Sequence, residues 1–253
     1  MGKYTGKKAV VIGGSTGMGL AMAKALAHEG VETLVTGRTP KHLESVCQEL
    51  GSRARVVSSD VSNMSNVDEL GAVVEEAFGK IDALFINVGV AELEPFDRVT
   101  EASFDRQFNV NTKGAFFTVQ RLAPLLKDGG AVVFTTVTPA TGTPTMSVYS
   151  GTKAALRAFV KVLAAELLPR RIRVNAVAPG FIDTPTLGVA GASPQEREAL
   201  AKAGDVVTPM KRHGTSEEVA RAALFLAFDA TFTTGAELPV DGGLSQVDAP
   251  VAG

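Results

Sequence analysis

Residues 9–19 read AVVIGGSTGMG, and this stretch decides the fold of the chain. Its first four residues form a short, continuous apolar run of the kind found in buried parallel strands. The glycine-rich residues 13–19 follow at once, and a helical pattern of apolar residues then runs to Gly30. Strand, glycine turn and helix in this order can bring the N–H groups of a helix start close to a phosphate. A tight turn without any ligand is the alternative, and the flanking elements favour a dinucleotide site.

Strand and helix patterns alternate along the rest of the chain. Strands are predicted at residues 9–12, 31–36, 54–59, 81–86, 131–136, 171–176 and 237–240. Helices are predicted at residues 20–30, 42–50, 67–78 and 149–168, and from a capping box at Thr215 to residue 228. A further long helical pattern covers residues 104–126, with interruptions at Gly114 and Pro124. This alternation predicts an α/β fold with a doubly wound parallel sheet of about seven strands and helices on both faces. No linker or internal repeat interrupts it, so residues 1–253 are predicted to form a single domain.

The amino-acid composition argues against several classes of function. The chain has 253 residues, 45% of them hydrophobic and 21% charged, and a net charge of −2, which does not indicate a nucleic-acid-binding surface. A single cysteine, Cys47, excludes an intramolecular disulfide, and three widely spaced histidines give no metal-ligand pattern, so no metal is expected. The chain has no apolar run of about 18 residues and no signal-peptide pattern, so a soluble cytoplasmic protein is expected.

Arg38 follows the second predicted strand, about 20 residues beyond the glycines. Enzymes that bind NAD usually place an acidic residue here, to hold the ribose hydroxyls. The planar guanidinium of an arginine suits a 2′-phosphate instead, which favours NADP(H) over NADH. An ordinary surface arginine at the start of a loop is the alternative interpretation.

Tyr149 and Lys153 lie four residues apart in a predicted helix, and therefore on the same face. A free tyrosine has a pKa of about 10 and exchanges protons poorly near neutral pH. A cation held nearby favours the phenolate and should lower this pKa by about one to three units. The pair could then act as a general acid or base, whereas the alternative is a plain pair on the helix surface.

Taken together, these motifs resemble the short-chain dehydrogenase/reductase family over residues 5–245, which implies a Rossmann-type sheet. The resemblance implies a catalytic tetrad of Asn111, Thr136, Tyr149 and Lys153. The resemblance implies that Tyr149 donates a proton to a substrate carbonyl. It also implies that Lys153 lowers the pKa of Tyr149 and binds the nicotinamide ribose. Thr136, thirteen positions before Tyr149, polarises the carbonyl in place of the usual serine. Asn111 supports a water relay to Lys153. Asn109 and Thr138 are the rivals of Asn111 and Thr136.

The cofactor-binding residues implied by the glycine turn, by Arg38 and by the resemblance are Gly13, Ser15, Thr16, Gly17, Met18, Gly19, Arg38, Asp60, Val61, Asn87, Gly89, Tyr149, Lys153, Pro179, Gly180, Ile182 and Thr184. The resemblance places Asp60 and Val61 at the adenine and residues 179–184 at the nicotinamide carboxamide. Two further departures from the family pattern are Ile12, where threonine is common, and residues 86–89, which match Asn-Asn-Ala-Gly only in part.

The predicted function is NADP(H)-dependent reduction of a ketone to a secondary alcohol, in a reversible reaction. The alternatives are an NAD-preferring alcohol or sugar dehydrogenase and a non-catalytic dinucleotide-binding sensor. A substrate lid is predicted at about residues 181–210, and its small and apolar residues favour an uncharged substrate end. A 3-oxoacyl thioester, a steroid, a small prochiral ketone and a sugar all stay open. The resemblance also implies a homotetramer, or a homodimer, that uses the helix of Tyr149 and the long helix before it.

Overall fold

The computed structural model describes residues 2–138, 142–185 and 193–248. The strands in these ranges are β1 Lys8–Ile12, β2 Glu32–Gly37, β3 Ala54–Ser58, β4 Ile81–Ile86, β5 Leu126–Thr135, β6 Arg173–Pro179, β7 Ile182–Asp183, β8 Gly214–Thr215 and β9 Glu237–Val240. The α-helices are α1 Gly17–His28, α2 Pro40–Leu50, α3 Met64–Phe78, α4 Glu101–Phe108, α5 Ala115–Leu122, α6 Ser147–Leu167, α7 Pro194–Val207 and α8 Ser216–Leu224.

Seven of these strands form one parallel sheet in the order β3-β2-β1-β4-β5-β6-β9, and β7 and β8 form a separate parallel pair. Neighbouring residues of a strand point to opposite faces of the sheet. Val10 accordingly joins the apolar core on the side of α3, α5 and α6, while Val11 joins the core on the side of α1 and α8. The predicted doubly wound sheet is confirmed, and all seven strands end at the same edge.

The helical pattern at residues 104–126 is interrupted at Pro124, as predicted, whereas the interruption predicted at Gly114 is wrong because the backbone stays helical there. It divides into α4, a π-helical segment Asn109–Gly114, α5 and a 3-10 turn Ala123–Leu125. Gly114 does not break the helix; a Cβ there would lie 2.5 Å from the carbonyl oxygen of Val61, so its small size permits close packing. The break comes at Pro124, and Leu126 already pairs with Ile81 as the first residue of β5.

The two strands nearest the predicted tetrad differ from their predicted bounds. β5 runs from Leu126 to Thr135, so Thr136 lies just beyond it. β6 runs from Arg173 to Pro179 instead of residues 171–176, because Arg171 has a left-handed backbone with φ 55° and closes a turn. The capping box at Thr215 is confirmed: its hydroxyl accepts from Glu218 N, and the Glu218 carboxylate accepts from Thr215 N.

Within residues 2–138, 142–185 and 193–248, no helix is both long and apolar enough to cross a membrane. In the same ranges, no three His, Cys, Asp or Glu side chains are grouped as a metal site would need.

Candidate active site

The glycine turn between β1 and α1 has the geometry that a phosphate site needs. Gly13 and Gly17 have φ of 73° and 52°, a left-handed backbone that glycine adopts without strain. A Cβ at Gly19 would overlap the carbonyl oxygen of Gly13, so the helix start can close onto the turn only because Gly19 has no side chain. Thr16 is the N-cap of α1, and the Thr16 side chain makes no capping hydrogen bond. The first N–H groups of α1 are therefore available to an anion.

Arg38 and Asp60 lie side by side at the ends of β2 and β3. Arg38 Nη1 is 3.8 Å from Asp60 Oδ2, and the Arg38 side chain is 56% exposed. Burial acts to raise the pKa of Asp60, but hydrogen bonds from Ser62 and the charge of Arg38 outweigh it, and the pKa is lowered. Because this ion pair is long and exposed, it contributes little to stability. The Arg38 guanidinium is therefore available to bind a second anion.

Asn87 contacts the glycine turn, and Gly89 lies against Lys153 of α6. Asn87 Nδ2 donates to Gly13 O at 3.2 Å, and Asn87 Oδ1 accepts from Thr135 Oγ1 at 3.0 Å. A Cβ at Gly89 would lie 3.0 Å from Lys153 Nζ, so the backbone approaches the lysine closely here. The partial match at residues 86–89 therefore still braces the ends of three neighbouring strands.

Asn111 is fully buried inside the π-helical segment. Its Oδ1 accepts from Val90 N at 2.8 Å, and its Nδ2 donates to Val90 O at 2.8 Å and to Thr152 Oγ1 at 3.0 Å. One amide thus joins the loop after β4 to α6. π-helical turns occur often at functional sites. The rival Asn109 is half-buried at the start of the same segment.

Lys153 is buried, at 3% exposure, and its Nζ lies 5.8 Å from the centre of the Tyr149 ring. Nζ donates to Thr135 O at 3.1 Å and to Val88 O at 3.4 Å. Burial lowers the pKa of Lys153 to about 8 and raises the pKa of Tyr149 to about 12. The direction predicted for Tyr149 is therefore wrong: the loss of water around the phenol outweighs the effect of the neighbouring ammonium.

The hydroxyl of Thr136 is already engaged. Thr136 is 2% exposed, and its Oγ1 lies 2.5 Å from Glu237 Oε1 and 3.1 Å from Val177 O. This arrangement differs from the predicted one, in which the hydroxyl donates to a substrate carbonyl. Its rival Thr138 is engaged in a similar way, with Ala178 O and Asp241 Oδ2 both at 3.1 Å.

The sequence analysis did not identify Arg157 and Glu237 as neighbours of the candidate active site. Arg157 Nε donates to Glu237 Oε2 at 2.6 Å, and Arg157 Nη2 donates to Val137 O at 2.6 Å. One signal was present, because Arg157 continues the four-residue spacing of Tyr149 and Lys153 along α6. Glu237, on an edge strand 80 residues away, gave no local signal.

Residues 179–185 complete the cleft on its β6 side. A Cβ at Gly17 would touch the Thr184 methyl group at 3.5 Å, so this segment lies against the glycine turn. A Cβ at Gly180 would lie 2.8 Å from Asp241 Cα, which explains the glycine there, and Ile182 pairs with Gly214. In the predicted lid, residues 186–192 lie outside the described part of the chain, and α7 forms most of the remainder.

The structure thus gathers most of the predicted residues at one edge of the sheet. The turn, Arg38, Asp60 and Thr184 form a cradle suited to a dinucleotide, and Tyr149 and Lys153 lie at its β4–β5 end.

Comparison with known proteins supports this interpretation. A family model described as enoyl-(acyl carrier protein) reductase matches residues 13–245.

Similar curated proteins include an oxidoreductase of Sarocladium schorii, 35% identical over 97% of this chain and 98% of its own length. A 3-oxoacyl-(acyl-carrier-protein) reductase of Thermotoga maritima is 34% identical over 96% and 99%, and a versicolorin reductase of Emericella nidulans is 34% identical over 95% and 96%. A solved short-chain dehydrogenase/reductase of Serratia marcescens superposes with a TM-score of 0.88 at 29% identity, over 96% of this chain and 99% of that one. The chain belongs to the short-chain dehydrogenase/reductase family, whose members are oxidoreductases that use nicotinamide dinucleotide cofactors.

Proposed function

We propose that this protein is an NADP(H)-dependent oxidoreductase that reduces a ketone to a secondary alcohol, reversibly, with Tyr149 as the proton donor. The observation that carries the proposal is the position of the buried Lys153 ammonium, 5.8 Å from the Tyr149 ring and next to Gly89. Two of the relatives are named as reductases, which supports the direction of the reaction.

When bound, the reduced nicotinamide supplies the hydride that reaches the carbonyl carbon. The residues present fit such a cofactor. The glycine turn offers a phosphate site at a helix start, and Thr184 lies against that turn at the end where residues 179–184 would hold the carboxamide. The half-exposed Arg38 guanidinium supports a preference for the 2′-phosphate of NADP(H), and Asp60 and Val61 would contact the adenine.

Tyr149 keeps its proton at neutral pH, because its pKa is raised to about 12. It releases the proton only when the substrate oxygen has gained negative charge; the phenolic O–H bond then breaks and the O–H bond of the alcohol forms. Lys153, with a pKa of about 8, is mostly protonated at neutral pH, and its ammonium stabilises the phenolate left behind. We assign protonation of the oxygen to Tyr149 alone, since the Thr136 hydroxyl contacts Glu237 and Val177.

Asn111 has a positioning role in this scheme. Its amide fixes the loop at Val90 and the Thr152 hydroxyl of α6, which in turn donates to Tyr149 O at 2.7 Å. The first turn of α6 and the loop that passes Lys153 are therefore held together. Such pre-organisation matters, because misplacing a reacting group by about 1 Å can lower the rate by about 10²-fold.

The test is to follow the absorbance of NADPH and of NADH during incubation with a panel of ketones. The panel covers the open substrate classes: a 3-oxoacyl thioester, a steroid, a small prochiral ketone and a sugar. Reduction of at least one ketone with a clear preference for NADPH supports the proposal. Equal use of NADH would indicate the NAD-preferring dehydrogenase, and tight cofactor binding without turnover would indicate the non-catalytic sensor.

We also propose a cytoplasmic homotetramer, or failing that a homodimer, with α4, α5 and α6 at an interface. Phe104, Phe117 and Val162 on these helices are large apolar side chains that are partly or largely exposed, which supports a covered surface. Light scattering after size-exclusion chromatography measures the mass. A monomer at micromolar concentration would contradict this part of the proposal.

A further inference from the structure

A half-buried charged cluster lies beside the candidate active site. It joins Thr136, just after β5, to Arg157 on α6 and Glu237 on β9. The ion pair between Arg157 Nε and Glu237 Oε2 is 2.6 Å long, and the two side chains are only 28% and 20% exposed. Bringing two charges out of water is costly unless geometry and further hydrogen bonds compensate, so the pair calls for an explanation.

The position of one proton decides what Thr136 can do. A hydroxyl has a single proton to donate. Two acceptors face Thr136 Oγ1: Glu237 Oε1 at 2.5 Å and the Val177 carbonyl at 3.1 Å. Carboxylates are stronger acceptors than carbonyls and make shorter bonds, so the proton lies toward Glu237. The hydroxyl can then only accept a further hydrogen bond, whereas polarising a substrate carbonyl would require it to donate.

The backbone around Thr136 is held on both sides by cations of α6. Lys153 Nζ donates to Thr135 O at 3.1 Å, and Arg157 Nη2 donates to Val137 O at 2.6 Å. Because both flanking carbonyls are bound, a backbone shift cannot easily release the hydroxyl. Rotation of the Thr136 side chain away from Glu237 is the remaining route.

We propose that Glu237, held by Arg157, is a positioning residue that withholds the Thr136 proton from the substrate carbonyl. This inference rests on the proposed ketone reduction. It accounts for a site in which Tyr149 alone donates to the substrate carbonyl, although a hydroxyl residue occupies the position where the family usually has serine.

The test is a double-mutant cycle read out as kcat on one good ketone. Thr136→Val is introduced into the wild type and into Arg157→Leu/Glu237→Leu. Both charged partners are replaced together, because removing only one would leave a buried charge unpaired. We expect Thr136→Val to lower kcat less than about threefold in the wild type. It should lower kcat at least about tenfold in the double-leucine background, where only the weaker and longer Val177 acceptor remains and the hydroxyl can turn its proton to the substrate.

Thr138→Val is the matched control. The Thr138 hydroxyl also faces a carbonyl and a carboxylate, but its carboxylate is Asp241 and not Glu237. Its effect on kcat should be the same factor in both backgrounds. Thermal unfolding of every variant separates a loss of folded enzyme from a change in turnover.

Equal Thr136→Val factors in the two backgrounds would overturn the inference, whether both are large or both small. If the double-leucine variant does not fold, Arg157→Gln/Glu237→Gln replaces it. The neutral amide at position 237 is a weaker acceptor, so the Thr136→Val factor should still exceed the wild-type factor, and equality again overturns the inference. A wild type that reduces no ketone would refute the proposed function and this inference with it. Ketone reduction with equal factors would refute the inference alone.

Discussion

Replacing Lys153 with methionine should change how the stability of the cofactor-free protein depends on pH. Lys153 is buried, and its pKa falls from 10.5 to about 8 on folding. Between these two values the unfolded chain binds more protons than the folded one, so the free energy of unfolding rises with pH in this window. The shift corresponds to about 3 kcal/mol, a large share of the usual 5–15 kcal/mol total.

Lys153→Met lacks this titration but keeps a side chain of similar length. The free energy of unfolding of the wild type, minus that of the variant, should therefore be flat below pH 8 and rise by about 3 kcal/mol toward pH 10.5. Hydrogen bonds lost by the variant shift this difference by a constant and do not affect its slope. Groups common to both proteins cancel to first order. They include Tyr149, whose pKa rises from 10.0 to about 12 on folding and which lowers the stability of both proteins as the pH rises above 10.

Urea unfolding at a series of pH values, followed by circular dichroism, measures this difference. The chain has no tryptophan, so circular dichroism is preferable to intrinsic fluorescence. Protein concentration is held constant, since any oligomer would add its own contribution to stability. Parallel stability curves for the two proteins between pH 8 and 10.5 would refute the reasoning, because the buried lysine would then titrate as it does in water.

Two further predictions concern the cofactor cradle. Arg38→Ala should weaken NADPH binding at least about tenfold, because a charge-assisted contact contributes about 1.5–3 kcal/mol and about 1.4 kcal/mol is a tenfold change in Kd. Calorimetric titration should show little change in the Kd for NADH. Equal losses for the two cofactors would contradict a contact between Arg38 and the 2′-phosphate. Gly19→Ala should force the glycine turn open, because the new Cβ would overlap Gly13 O. The Kd for both NADPH and NADH should rise at least about tenfold, and the free energy of unfolding should fall by about 1–3 kcal/mol. Gly151→Ala, whose Cβ would have ordinary contact with Phe108 at 3.9 Å, is the control; unchanged cofactor binding in Gly19→Ala would contradict the cradle.

The sequence contained enough to predict the sheet, because each strand is a local apolar run and the strands alternate with helical patterns. The sequence also indicated the interruption at Pro124, but it placed the start of the fifth strand at residue 131 and not at Leu126. Leu126 leaves the helix to pair with Ile81, a contact between residues distant in sequence. The end of β5 was nearly predicted, and Thr136 falls one residue past it.

The electrostatics of the site could not be predicted in the same way. The spacing of Tyr149 and Lys153 places them on one helix face, but the sign of a pKa shift depends on how much water the fold removes. Burial raises the pKa of Tyr149 here. Likewise the bond from Thr136 to Glu237 needs β9 to lie beside β6, which is a property of the whole sheet. Local patterns therefore located the residues, whereas their protonation and partners required the fold.

The most direct test of the account is the turnover of Tyr149→Phe on a ketone that the wild type reduces with NADPH. Phenylalanine keeps the ring and its packing and removes only the proton donor. Loss of a general acid typically costs about 10²–10⁴ in rate, so kcat should fall by at least about 10²-fold while the Kd for NADPH stays within about threefold. Near-normal turnover in this variant would contradict the assignment of Tyr149 as the proton donor, on which the proposed function depends.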